Sequence, residues 1–94
     1  MIPIFWTRRA ASERYDALRY LLLKNASAAK RQSQEISAQI CWLQRYPSLG
    51  RLGRVTGTRE FLVRRTPYLA IYRHRGDPPH IEIMRLLHGA RNWF

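Results

Sequence analysis

The sequence is short of cysteine, of acidic residues and of long apolar runs. Its one cysteine, Cys41, excludes an internal disulfide. That suits a reducing cytosol, the compartment expected for this chain. The longest aliphatic run, Leu21-Leu22-Leu23, falls far below the ~20 residues that span a bilayer. The stretch from Met1 to Trp6 is too short for a signal-peptide core and reads directly into structure. Internal repeats and low-complexity tracts are absent. His74, His80, His88 and Cys41 have no metal-ligand spacing, so no metal and no other cofactor is expected.

The shortage of acid sets the electrostatics. Six Asp+Glu stand against 17 Lys+Arg, a formal charge of +11 on 94 residues. So strong a field favours polyanions: nucleic acid, an acidic protein or an anionic surface. A basic face kept only for solubility is the plainer alternative, but a surface of one sign also destabilises the fold by self-repulsion. With 46% hydrophobic and 12% aromatic residues, the chain is globular rather than disordered. Its length suits one domain, residues 1–94, with a modest core.

Ile2 to Trp6 is apolar, β-branched and aromatic, and predicts a short strand. Thr7 offers a hydroxyl to cap a helix over Arg8 to Lys24, where Ala10/Ala11, Ala17/Leu18 and Leu21/Leu22 recur at helical spacing. Arg14 falls on the expected buried side of that helix. Asn25 reads as its stop and Ser27 as the cap of a second helix. There Ile36, Ile40 and Leu43 form the buried stripe, and Cys41, Trp42 and Trp6 read as core residues. Tyr46-Pro47 ends the helix. A link of two or three residues makes the pair an antiparallel hairpin.

Ser48 to Gly57 reads as a loop. Three strands follow, Arg59 to Arg64, Tyr68 to Arg73 and Ile81 to Leu87, separated by Thr66-Pro67 and Gly76-Asp77-Pro78-Pro79. The expected fold is therefore α+β: a short N-terminal strand, an antiparallel helical hairpin, then a three-stranded antiparallel β-meander packed against the helices. The strand arginines and tyrosines are expected on the face away from the helices.

Several residue groups, in order and at their spacings, carry a resemblance over essentially the whole chain. They are Trp6-Thr7 with Ala10; Pro47-Ser48-Leu49-Gly50-Arg51; Gly57-Thr58-Arg59-Glu60; Pro67-Tyr68 with Tyr72-Arg73; and Ile81 through Arg91. Together they resemble the RelE/ParE superfamily of type II toxin–antitoxin toxins. The resemblance implies growth inhibition and a role in plasmid stabilisation. It also implies an antitoxin partner, acidic where it meets the toxin, which the +11 charge suits independently. RelE-like members are metal-independent, ribosome-dependent mRNA endonucleases. ParE-like members poison DNA gyrase without cleaving bonds themselves.

The RelE-like branch commonly sets a catalytic arginine directly after the tyrosine that opens the second meander strand. Here Leu69 follows Tyr68, and an aliphatic side chain cannot stabilise a phosphorane. Glu60 and Leu62 stand where functional lysines are expected, with Arg64 and Arg65 nearby. The sequence therefore leans to the ParE-like branch, with no intrinsic catalysis. The alternative is a nuclease acting on ribosome-bound mRNA with Arg59, Arg85, His88 and Arg91 converging at one sheet end, joined by Arg73. His88 would then exchange the proton, and Tyr68 or Tyr72 would stack on a base. Residues expected to bind target or antitoxin are Arg51, Arg54, Arg59, Arg64, Arg65, Arg73, Arg85, His88, Arg91, Trp93 and Phe94. Structural roles compete for some: an Arg59–Glu60 pair, an Arg85–Glu82 pair, and His88 as a plain turn residue. A nontoxic basic module that binds nucleic acid through charge alone also stays open.

Overall fold

In the computed structural model, residues 1–89 are described. Seven elements follow in chain order. They are β1 (Ile4–Trp6), α1 (Arg8–Lys24), α2 (Ala26–Arg45), β2 (Arg51–Leu52), β3 (Arg59–Leu62), β4 (Tyr68–Arg75) and β5 (His80–His88). The strands form one sheet in the order β1-β5-β4-β3-β2. The expected meander is β3-β4-β5, antiparallel throughout. Two features extend the expected α+β fold: β1 pairs parallel to β5, and the loop after α2 contains the short strand β2.

Thr7 does two jobs at the junction of β1 and α1. Its hydroxyl accepts from the Ala10 amide at 3.1 Å, capping the helix, and donates to the Met84 carbonyl at 3.0 Å. Met84 is the extra residue of a bulge, because Ile83 pairs with Tyr72 while Arg85 pairs with Ile71. The bulge shifts the strand's inward phase from Ile81 and Ile83 to Leu86. Beyond the end of β1, Glu13 of α1 takes over the exposed edge of β5. Its carboxylate accepts from the Leu86 amide at 3.0 Å and from the Arg85 guanidinium at 2.7 Å. Thr7 thus satisfies the Met84 carbonyl in the bulge, and Glu13 the Leu86 amide just past it.

The link between the helices is one residue, Asn25, shorter than expected. Its amide donates to Leu21 O at 2.7 Å and closes α1. Its side chain accepts from the Ala28 amide at 3.1 Å and opens α2, the role expected of Ser27. An Asn serves both ends because it has an extended backbone here and a short side-chain acceptor.

Ile36, Ile40 and Leu43 form the buried stripe of α2, as their spacing predicts. With Ala10 they pack on Phe61, Val63, Tyr68, Ala70, Tyr72, Ile81, Ile83 and Leu86 of the sheet. Each large aliphatic buried there contributes about 1.5–3 kcal/mol. Both tyrosines thus lie on the helix side of the sheet, opposite to expectation. The other face carries a small cluster of Leu69, Ile71 and Leu87. Two expected core residues are placed differently, and a third, Trp6, packs against the edge of the core. Cys41 is exposed. Trp42 is 41% exposed and meets Phe61 edge-on. Trp6 is half-buried beneath the Arg14 guanidinium, 4.8 Å from the ring centroid. Among the described residues, no helix is long and apolar enough to cross a membrane.

Candidate functional site

Few acids are present, and three of them hold arginines expected to bind a target. Glu60 on β3 has a fully buried side chain. It accepts from Arg51 Nη2 at 3.0 Å, Arg54 Nε at 3.1 Å and the Arg54 amide at 3.0 Å. Arg59 does not pair with Glu60. It donates to the carbonyls of Gly50 at 2.8 Å and Ser48 at 3.4 Å, fastening the loop that carries β2. Arg85 pairs with Glu13 rather than Glu82. Arg65, at φ 63°, makes a forked pair with Glu35 at 2.6 and 3.0 Å. Hydrogen bonds from Arg65 and then Gln39 hold the Glu35 carboxyl at about 2, and the same pairing raises Arg65.

Two of the nuclease candidates, Arg59 and His88, stand at different levels of the sheet. Arg59 stands opposite Tyr72, whereas His88 stands opposite Tyr68. Four residues of β4 separate those levels, ~13 Å at ~3.3 Å per residue. Arg73 lies farther still from His88, opposite Glu82. His88 is exposed and meets the Tyr68 ring edge-on, with centroids 5.8 Å apart. Tyr68 and Tyr72 are buried and offer no ring to a base. The Tyr72 hydroxyl donates to Pro47 O at 2.7 Å and accepts from the Gly50 amide at 2.9 Å. Burial pushes the ionisation of both phenols upward. Leu69 is 4% exposed. The position that holds a catalytic arginine in the RelE-like pattern is thus an apolar contact. Arg91, Trp93 and Phe94 lie outside the described residues.

Residues 4–93 match the family described as "ParE toxin of type II toxin-antitoxin system, parDE". The chain belongs to the ParE toxin family. It is 32% identical over 90 residues to the toxin candidate Y4kP of Sinorhizobium fredii (strain NBRC 101917 / NGR234), covering 96% of this chain and 91% of that protein. A solved structure titled "Chromosomal ParDE TA system from P. aeruginosa" superposes with a TM-score of 0.83 at 27% identity, covering 96% of this chain and 98% of its own. A "YoeB/ParE toxin from Agrobacterium tumefaciens" shares the fold, with a TM-score of 0.61 at 16% identity and coverage of 95% and 100%.

This ParE-family toxin also has a surface that the sequence reading did not single out. A groove of about 760 Å³ runs along the outer side of the hairpin, bordered by Ala11, Arg14, Leu18 and Leu22 of α1 and by Ala29 and Ser33 of α2. Its sequence signal is a second apolar stripe on α1, one step round from Ala10 and Ala17. Arg14 lies within this stripe, not in the core. Its Nη2 donates to Ser37 Oγ at 2.8 Å. Burial lowers its pKa, so the guanidinium is partly desolvated.

Proposed function

We propose that this ParE-family toxin arrests growth by acting on DNA gyrase and is neutralised by an acidic antitoxin. The observation that carries the gyrase reading is Leu69. It is buried where the nuclease pattern needs a cation facing a phosphate. The commitment of Arg59 to loop carbonyls and of Arg85 to Glu13 supports the same reading. Each would have to surrender an internal partner before holding a phosphorane. The antitoxin reading is supported by the +11 charge and by the likeness to a structure titled as a ParDE system. A disordered acidic segment that folds on such a surface gains charge pairing and apolar burial together.

The test combines purified toxin, gyrase, supercoiled plasmid and ATP. Linear DNA that accumulates with toxin concentration is expected. Unchanged supercoiling at high toxin, with cleavage of a translated mRNA in a parallel reaction, would replace this reading with the nuclease one. For the antitoxin, the product of the adjacent reading frame is expected to restore growth when co-expressed. Arrest that persists would remove that part.

A further inference from the structure

The end of the sheet at the β4–β5 turn is built differently from the rest. Tyr72 of β4 is a core residue, so Arg73 and then Arg75 belong to the face that the helices do not cover. Ile81 and Ile83 of β5 are core residues, so His80 and Glu82 share that face. Phe5 joins them from β1, because its neighbours Ile4 and Trp6 pack on the core. Register sets these residues in two rows, Phe5–Glu82–Arg73 and His80–Arg75. Phe5 is 56% exposed, and its ring meets His80 edge-on with centroids 5.6 Å apart. Elsewhere Arg51, Arg54, Arg65 and Arg85 pair with carboxylates, and carbonyls hold Arg59. Arg73 and Arg75 have no such partner among the described residues, although Glu82 stands opposite Arg73. Arg8 and Arg9 are exposed at the start of α1, where the helix dipole disfavours cations.

We propose that this end of the sheet binds single-stranded DNA, with a base stacked on Phe5 and the phosphates held by Arg73 and Arg75. The inference deepens the gyrase reading, since it gives the toxin its own hold on the nucleic acid that gyrase works on. A phenyl ring exposed on a sheet offers its π-face to any base, and it meets one only where the strand is unpaired. With strands ~4.8 Å apart and residues ~3.3 Å apart along each, Phe5 lies ~10 Å from Arg73 across β5, and Arg75 lies ~7 Å farther along β4. That patch matches two or three nucleotides at ~3.4 Å each. Glu82 lies between the ring and the arginine. A carboxylate only accepts, so it turns phosphates to the arginine side and suits a base N–H. Asp77, exposed in the β4–β5 turn, bounds the phosphate track beyond Arg75 in the same way. Arg8 follows Phe5 within ~11 Å of chain and, with Arg9, adds positive potential at the β1 edge.

Binding is read by the fluorescence anisotropy of a labelled oligo-dT of about 12 nucleotides, without gyrase and across a range of salt. The double variant Arg73→Ala/Arg75→Ala is expected to bind at least about tenfold more weakly at physiological salt, with the slope of log affinity against log salt shallower by about 1.4. Phe5→Leu keeps apolar area on β1 and removes the π-face. It is expected to lose about fivefold or more with the slope unchanged. Phe5→Trp is expected to bind at least as tightly as the parent. Arg19→Ala/Arg31→Ala removes the same charge from exposed helix positions and is expected to stay within about twofold, because screening confines each charge to its surroundings. Equal losses in the two double variants would show binding by net charge alone and overturn the proposal. So would a duplex of the same length bound as tightly as oligo-dT, since a paired base cannot reach Phe5. Oligo-U bound about tenfold more tightly than oligo-dT would give the site to RNA and overturn it as well. Linear DNA formed with gyrase by a toxin that binds no oligonucleotide removes the strand contact and leaves the gyrase reading standing. Oligonucleotide binding through Phe5, Arg73 and Arg75 without linear DNA removes the gyrase reading and leaves the strand contact.

Discussion

Tyr72 joins the sheet to the loop after α2 through a single oxygen, held between Pro47 O and the Gly50 amide. Tyr72→Phe keeps the packing and removes the partner of the buried Gly50 amide and of the half-buried Pro47 carbonyl. A loss of about 1–3 kcal/mol is expected, read as a lower urea midpoint with unchanged slope. Gly50 has no room for a side chain, because a Cβ would lie 2.7 Å from Tyr72 Cε1. Gly50→Ala is therefore expected to destabilise by about 1–3 kcal/mol in the same assay. Residues of this kind were unevenly legible. Leu69 could be read because one aliphatic side chain breaks a pattern of cations. Gln39 could not. On a helix it reads as solvent-facing, yet it is fully buried and grips the Arg64 peptide. Its Oε1 accepts from Arg64 N at 2.7 Å and its Nε2 donates to Arg64 O at 2.9 Å, across 25 residues of chain. Tyr68 and Tyr72 were assigned to the wrong face, since alternation gives a strand two faces without saying which one the helices cover.

The hairpin and meander were legible because their apolar periods are long and their breaks are marked by Asn25, Pro47, Pro67 and Gly76. β2 was not. It is two residues long and is held by its register with β3 and by the ion pairs of Glu60, not by strand propensity. Glu60→Ala should therefore release this loop selectively. Faster hydrogen exchange is expected at the Gly53 amide, which donates to Thr58 O, with the α2 amides unchanged. The parallel β1–β5 pairing was invisible because it joins residues at opposite ends of the described chain. The Glu35–Arg65 pair ties α2 to the turn between β3 and β4, and its linkage to pH has a definite sign. The folded carboxyl ionises at about 2 and the unfolded one near 4.5. Its stabilisation is whole above about pH 4.5 and is lost as pH falls towards 2. Glu35→Gln is expected to flatten the fall of the urea midpoint through that window. An equally steep fall would show that other carboxylates dominate it.

Across the whole molecule, +11 charge is carried on a sheet-and-hairpin frame whose few acids restrain several of its arginines. The order of motifs made the family legible, while the composition pointed only to a class of partner, a polyanion. Neither could show that Arg59 and His88 stand ~13 Å apart along the sheet, because that follows from strand register. The two working styles of the superfamily predict different molecular products, so the target can be tested without any variant. The decisive measurement is the fate of supercoiled plasmid incubated with gyrase, ATP and increasing amounts of this toxin. Linear DNA rising with toxin and absent without gyrase is the predicted result. Plasmid that stays supercoiled at every toxin concentration, while ribosome-bound mRNA is cleaved under matched conditions, would contradict it.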